Sequence, residues 1–241
     1  MTTSWDFSGR TLLVTGVGRS GQIGHAVAQA LGQAGARIVA VDRNAVGVAE
    51  RVKEFLALGI EARPAAGDLT EPDVAAFAVE TAVRHVGRLD AVVNVAGGLT
   101  TYGPVEKSGP EEFDREIDIN LKTAYLMTRA AIAPLEQSRG AVVNFASLAY
   151  FRAMSQIAVY SAAKAGVAAL TQSLAVELWP RGIRVNAVAP GMVRTPENVA
   201  SAGADAQYVE MAQIISAVLF LASEASSGIT GHILPITNGI G

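Results

Sequence analysis

Thr11-Leu12-Leu13-Val14-Thr15-Gly16-Val17-Gly18-Arg19-Ser20-Gly21-Gln22-Ile23-Gly24 is the stretch on which the reading of this chain turns. Its first five residues, TLLVT, are apolar and partly β-branched, as a buried strand requires. Glycines follow at once, and a helix is expected over 22–34. Glycine lets a backbone come close to a pyrophosphate, and the first turn of the helix offers free N–H groups and the positive end of its dipole. Such a turn is as often only a tight turn, so its surroundings decide. Asp42 closes the next strand, Arg37–Asp42 (RIVAVD), 18 residues past Gly24. A carboxylate there can accept hydrogen bonds from an adenosine ribose and repels a 2′-phosphate. The plain alternative is a turn or cap aspartate, and Arg43 beside it leaves room for a phosphorylated ribose.

The same alternation runs along the whole chain. Strands are expected at Thr11–Thr15, Arg37–Asp42, Ala62–Ala66, Ala91–Asn94, 140–147, 184–189 and Ile233–Ile236. Helices are expected over 22–34, 46–58, 71–85, 110–137, 157–179 and 210–222. Short β-branched runs separated by helices argue an α/β fold, a Rossmann-type doubly wound parallel sheet. Right-handed crossovers then put the ligand crevice at the carboxyl ends of the strands. No repeat, low-complexity run or linker divides the chain, so residues 1–241 read as a single domain.

Composition agrees. Of 241 residues, 50% are apolar and 17% charged, which suits a sheet buried on both faces, with some apolar surface left for oligomer contacts. Net charge is −3 without a basic block, so neither nucleic acid nor an anionic membrane is an expected partner. There is no cysteine, which excludes disulfides, thiol catalysis and thiolate metal sites. His25, His85 and His232 lack metal-ligand spacing, and no metal is expected. The opening MTTSWDFSGR does not read as a signal peptide, no apolar run is long enough to span a bilayer, and a cytoplasmic protein is expected.

Tyr160-Ser161-Ala162-Ala163-Lys164 places a phenol and an ammonium four residues apart, on one helix face, with Ser147 thirteen residues upstream of the phenol. A lysine beside a tyrosine favours the phenolate, so a lowered tyrosine pKa is expected. Such a group can exchange a proton with a carbonyl or alcohol. Alone, the pair could equally be a core tyrosine beside a solvated lysine.

Taken together these motifs resemble the short-chain dehydrogenase/reductase family in its compact form, from about residue 9 to the end. Thr15 to Gly24 is similar to the family's glycine-rich cofactor loop, with Gly16, Gly18, Gly21 and Ile23 as the expected contacts. Asp42 then meets the ribose, and Asp68-Leu69 resembles the pair that contacts adenine. Asn94-Val95-Ala96-Gly97 matches the family's NxAG, with Asn94, Ala96 and Gly97 lining the cofactor. Asn120 in DINLK matches the asparagine that holds a bound water. Ser147, Tyr160 and Lys164 match the catalytic serine, tyrosine and lysine. Asn186 and Pro190-Gly191-Met192-Val193-Arg194-Thr195 match the strand-six motif, from which Pro190, Gly191, Val193 and Thr195 are expected at the nicotinamide. Each has a plainer reading. Asn94 and Asn186 could tie backbones together, Asp68 could cap the next helix, and Ser147 could cap the end of its strand.

The resemblance implies an NAD(P)-dependent oxidoreductase that interconverts a secondary alcohol and a ketone by hydride transfer, with NAD expected over NADP because of Asp42. Tyr160 would carry the proton and Ser147 would position the oxygen. Lys164 would hold the nicotinamide ribose, and Asn120 would link the lysine to water. It also implies a homotetramer. An independent reason is that the two long helices carry apolar residues on more faces than one sheet contact can bury.

Three departures stand out. The loop has two extra residues between Gly16 and Ile23-Gly24, so that Gly18 or Gly21 takes the place of the family's middle glycine. The substrate lid, at about 196–212, is shorter than usual. The terminal VDGG-like signature appears only approximately, as Ile236-Thr237-Asn238-Gly239. Leu99, Tyr102, Leu148, Tyr150, Phe151, Met154 and Met192 suggest an apolar substrate wall or simple packing. A 3-oxoacyl thioester, sugar, steroid or other small alcohol remains open as substrate. Val176, where acyl-carrier-protein reductases of the family often carry Arg, disfavours the first. The other reading, a cofactor-binding regulatory or scaffold protein with idle chemistry, is opposed by the intact Ser147, Tyr160 and Lys164. A short chain without a C-terminal substrate domain opposes an extended-branch epimerase or dehydratase.

Overall fold

A computed structural model describes residues 5–239. The first four residues of the expected signal-free start, and residues 240–241 of the expected domain, lie outside them. Seven strands form one parallel sheet in the order β3-β2-β1-β4-β5-β6-β7. They are β1 (Thr11–Thr15), β2 (Arg37–Asp42), β3 (Ala62–Ala66), β4 (Ala91–Asn94), β5 (Ala141–Phe145), β6 (Arg184–Pro190) and β7 (Ile233–Ile236). The order reverses between β1 and β4, which opens a crevice at the carboxyl ends of the strands.

Strand alternation sorts the core into two layers. Leu12, Val14, Ile38, Ala40, Val93 and Val143 face one side, where α1 (Ile23–Gln33), α2 (Ala45–Ala57) and α8 (Met211–Ala222) pack. Leu13, Val39, Val41, Val92, Val142 and Val185 face the other, under α3 (Pro72–Val86), α5 (Thr123–Ser138) and α6 (Ala158–Leu178). Burying one such side chain contributes about 1.5–3 kcal/mol, so a sheet covered on both faces needs the continuous apolar strands seen in the sequence. The weak third strand does form. It is an edge strand, where the exposed Arg63 and Pro64 are tolerated because one side needs no further N–H partner.

Two expectations are corrected, and the lid segment gains detail. The helix expected over 110–137 is α4 (Pro110–Ile117), then a π-helical turn at Asp118–Lys122, then α5. Within that turn Asn120 Nδ2 donates to the Glu116 carbonyl (3.0 Å) and Thr123 Oγ1 to the Ile119 carbonyl (2.9 Å), so side chains intrude on the backbone ladder. The strand expected over 140–147 is shorter at both ends. Gly140 N–H turns to the Leu135 carbonyl (2.8 Å), and Ser147 begins a 3₁₀ turn at Leu148–Tyr150. Finally, the expected lid segment contains a helix of its own, α7 (Pro196–Ala202), and returns so that Val209 bridges Val193 in parallel.

Candidate active site

Tyr160 and Lys164 lie one turn apart on α6, and Ser147 faces them from the end of β5. Lys164 is 5% exposed, and its ammonium donates to the Phe145 carbonyl at 2.8 Å. Nζ stands 5.7 Å from the centroid of the Tyr160 ring. The expected drop in the tyrosine pKa is not found. Burial holds the Tyr160 phenol above its ordinary 10.0, a hydrogen bond with Ser147 pulls it down, and the negative charge of Glu116 pushes it up. Lys164 is desolvated as well: burial lowers it from 10.5 to about 8, and Glu116 resists that fall. Ser147 also does the humbler job, its Oγ accepting from Ala149 N–H at 3.2 Å as an N-cap.

Asn120 is 1% exposed, and its amide is held by protein on every side. Oδ1 accepts from Gly98 N–H (2.9 Å), and the two hydrogens of Nδ2 are shared among the Gly98 carbonyl (3.0 Å), Glu116 Oε2 (2.9 Å) and the Glu116 carbonyl (3.0 Å). It therefore ties the segment after β4, with Ala96 and Gly97, to the π-helical turn. A Cβ on Gly97 would come 2.6 Å from Asn120 Oδ1.

The glycine loop gathers at the ends of β1, β2 and β4. Gly18 N–H donates to Asp42 Oδ2 (2.8 Å), and Asp42 Oδ1 accepts from Asn44 N–H (2.9 Å). A methyl group on Gly18 would lie 2.7 Å from the Asp42 carboxyl carbon, so a side chain there would push the carboxylate from its present place. Gly16 lies against the backbone of Ala96, whose N–H donates to Thr15 Oγ1 at 2.9 Å. Ile23 opens α1. The tightest position is Gly24, outside the expected contact set: a Cβ there would sit 2.2 Å from the Gly16 carbonyl oxygen. Absence of a side chain at Gly24 is what lets α1 pack against the loop.

Gln22, the N-cap of α1, makes no capping bond with its side chain. The helix thus presents its first N–H groups uncapped by a side chain, beside a glycine backbone and the Asp42 carboxylate. That donor set fits a dinucleotide with its pyrophosphate at the helix end.

Other expected residues divide between the crevice and the frame. Asn94 Nδ2 donates to Asn144 Oδ1 (2.8 Å) and Thr128 Oγ1 (3.1 Å) inside the core, and Asn186 joins β6 to the Ile229 carbonyl (2.8 Å) and His232 N–H (3.1 Å). Both tie backbones or helices together. Asp68 does not cap α3, whose N-cap is Glu71. Its Oδ1 instead accepts from Thr70 N–H (2.9 Å) and Thr70 Oγ1 (2.8 Å), which holds the exposed carboxyl below its ordinary value. Leu69 beside it is buried. Pro190 ends β6, Gly191 N–H donates to the Ile236 carbonyl (2.9 Å), Val193 pairs with Val209, and Thr195 caps α7 by accepting from Asn198 N–H (3.2 Å).

Two contacts bring α7 onto the glycine loop. Arg19 pairs with Glu197 at 2.8 Å, and a Cβ on Gly21 would lie 3.1 Å from the Pro196 ring. Sequence reading placed Gly24 in the glycine-rich loop but not among its contacts, and it missed Glu116, His25 and the Arg19–Glu197 pair. Only the spacing of Glu116, one turn before Asn120, gave any hint.

A family model described as enoyl-(acyl carrier protein) reductase matches residues 16–241. The 3-oxoacyl-[acyl-carrier-protein] reductase FabG of Thermotoga maritima is 32% identical over 96% of this chain and 98% of its own. Cyclohexanol dehydrogenase of an Acinetobacter species (strain SE19) is 36% identical over 93% and 92%. Among solved structures, a 3-oxoacyl-[acyl-carrier protein] reductase with bound NAD from Brucella melitensis superposes with a TM-score of 0.87, at 31% identity, covering 97% of this chain and 92% of that one. With a seven-stranded parallel sheet, a glycine loop between β1 and α1, and relatives matched along nearly their full length, the chain belongs to the short-chain dehydrogenase/reductase family of nicotinamide-dinucleotide oxidoreductases acting on CH–OH groups.

Proposed function

We propose that the protein interconverts an apolar secondary alcohol and its ketone with NAD(H), Tyr160 moving the proton on oxygen. One observation carries this reading: a half-buried phenol stands between Ser147 and a buried Lys164 at the end of β5. The cofactor supplies hydride transfer when bound; the chain supplies placement and the proton. The glycine loop, from Gly16 through Gly18 and Gly21 to Ile23, would hold the pyrophosphate. Asp42 would take the adenosine ribose, and Asp68-Leu69 the adenine. Asn94, Ala96, Gly97, Pro190, Gly191, Val193 and Thr195 would line the nicotinamide half.

In the reducing direction the Tyr160 hydroxyl gives its proton to the carbonyl oxygen as that oxygen gains charge. In the oxidising direction the phenolate takes the proton from the alcohol. Ser147 holds the same oxygen in place. Burial raises the Tyr160 phenol above its ordinary value, so ionisation for the oxidising direction depends on what the bound cofactor and substrate change around it. Lys164 would hold the nicotinamide ribose, and Asn120 would keep the segment behind it in position.

NAD over NADP is supported by Asp42, whose carboxylate would face a 2′-phosphate. An apolar substrate is supported by the exposed Leu99, Tyr102, Tyr150, Phe151, Met154 and Met192, each close in sequence to a site residue. The cyclohexanol dehydrogenase relative is consistent with such a substrate. The test is a comparison of kcat/KM across cyclic alcohols, steroids, sugars and 3-oxoacyl thioesters, with each of the two cofactors. Expected is turnover of a cyclic or steroidal substrate with NAD(H) preferred. A clear preference for NADP(H), or for sugars, contradicts this reading.

A further inference from the structure

The lengthened glycine loop is held at two points by side chains. Gly18 N–H goes to Asp42 Oδ2 at 2.8 Å. Gly21, whose φ is +71°, donates its N–H to Nδ1 of His25 at 3.1 Å. Among the described residues no main-chain carbonyl receives that N–H. Arg19 and Ser20, between the two anchors, are exposed. The imidazole therefore does for Gly21 what the carboxylate does for Gly18.

The ring itself is fixed by α2. It stacks on the buried Phe55 with centroids 5.6 Å apart, and its side chain is 13% exposed. Nε2 lies 3.4 Å from Glu54 Oε2. The same helix closes on the loop at Gly47, where a Cβ would sit 2.3 Å from the Gly18 carbonyl oxygen. Only an unprotonated Nδ1 can accept, so the ring that holds Gly21 is neutral and carries its hydrogen on Nε2. We propose that His25 is a positioning residue of the cofactor loop, its neutral ring holding Gly21 in the form that receives the dinucleotide, so that cofactor affinity falls when the ring takes up a proton. The proposal rests on the reading of this loop as the pyrophosphate site.

Protonation sets one donor against another, Nδ1–H against Gly21 N–H, and frees the loop beyond Gly18. An imidazolium could instead attract the anionic cofactor. Its charge, however, lies beside Glu54, which offsets it, so the lost acceptor is the larger effect. The charged groups around the ring are few. α2 brings Glu54 and Arg51, already paired with each other at 2.7 Å, and α1 carries no other charged side chain. Arg19 of the loop is paired with Glu197 of α7. Burial lowers the ring below its ordinary 6.5, Glu54 opposes that and Arg51 adds to it. Affinity is therefore complete above pH 6.5 and is lost as pH falls through the lower folded value. By reciprocity, bound cofactor must lower the ring further.

The test is fluorescence titration of the full-length protein with NADH, or with NADPH where it alone binds, at pH 7.5 and pH 5. The natural chain is compared with His25→Asn, whose Oδ1 can accept from Gly21 and does not titrate, and with His25→Leu, which has no acceptor. At pH 7.5 the Asn variant should bind like the natural chain, and the Leu variant about two- to tenfold more weakly. Between pH 7.5 and pH 5 the natural chain should lose about two- to 30-fold more affinity than the Asn variant, the upper figure being that of a ring at its ordinary value. A merely structural ring would give the two the same pH profile. A difference below about twofold overturns the proposal, as does a natural chain that gains on the Asn variant in acid. So does a folded Leu variant that binds at pH 7.5 as tightly as the natural chain; if it does not fold, the Asn comparison decides. Ring-nitrogen NMR reads the same coupling from the other side. Saturating cofactor should lower the His25 titration midpoint, and a midpoint unmoved or raised overturns the proposal. Failure of both NADH and NADPH to bind at pH 7.5 would sink the cofactor reading and this proposal with it. Binding whose pH profile the Asn variant shares counts against His25 alone.

Discussion

Burial decides what His25 can do. Its ring stacks on Phe55 at 5.6 Å, Nδ1 accepts from Gly21 N–H at 3.1 Å, and Nε2 lies 3.4 Å from Glu54 Oε2. Burial holds its pKa below the ordinary 6.5, against the pull of Glu54. The folded protein therefore favours the neutral ring, and this contribution to stability is complete above pH 6.5. It is lost as pH falls below 6.5 through the lower folded value, because a protonated Nδ1 no longer accepts from Gly21. Urea unfolding between pH 7 and pH 5 should cost the natural chain more stability than His25→Asn. Parallel losses in the two would show that the ring does not hold the loop. None of this was legible in the sequence, because the stacking and the loop contact exist only after α1 and α2 have packed. The same holds for Gly24, whose need for glycine comes from the Gly16 carbonyl 2.2 Å away. Ser147, Tyr160 and Lys164 were legible because two of them share a helix face and the third follows directly from the strand next to it.

Helices α5 and α6 have more apolar surface than the sheet covers. Tyr125 on α5 is 46% exposed, and Val176 on α6 is 79% exposed although the sheet face of the same helix is buried. Phe113 on α4 and Trp179 just past α6 are exposed large apolar side chains as well. Apolar patches on helix faces commonly mark association, and closed twofold symmetry sets a helix against its own copy. A homotetramer is the assembly expected. Light scattering at micromolar concentration should give a mass near four times the 24.9 kDa chain, and Val176→Glu should lower it by placing two like charges in each twofold contact. A mass near 24.9 kDa for the natural chain contradicts the expectation. At this scale the sequence told the existence of each strand and most helices. It did not tell the break at Asp118–Lys122, because helix periodicity continues through it and only the side-chain bonds of Asn120 and Thr123 open the ladder. Nor did it show α7, since PENVASA has too little apolar periodicity to separate a short helix from a loop.

Over the whole molecule, strand order and crossovers decide where chemistry can occur. β1, β2, β4 and β5 all point their carboxyl ends at one crevice, so Gly16, Asp42, Ala96 and Ser147 meet there although they come from far apart in the chain. That convergence was legible once the alternation of strands and helices was read, because right-handed crossovers leave few other arrangements. The charge balance inside the crevice was not legible, because it depends on the burial of Lys164 and Glu116 together. The account centres on Tyr160 as the group that moves the proton. Its most direct test is single-turnover kinetics of Tyr160→Phe with a ketone that the natural protein reduces, alongside fluorescence titration of the reduced cofactor. The account predicts a rate lower by about 10²–10⁴-fold with cofactor affinity within about twofold of the natural protein. A variant that keeps near-natural turnover contradicts it.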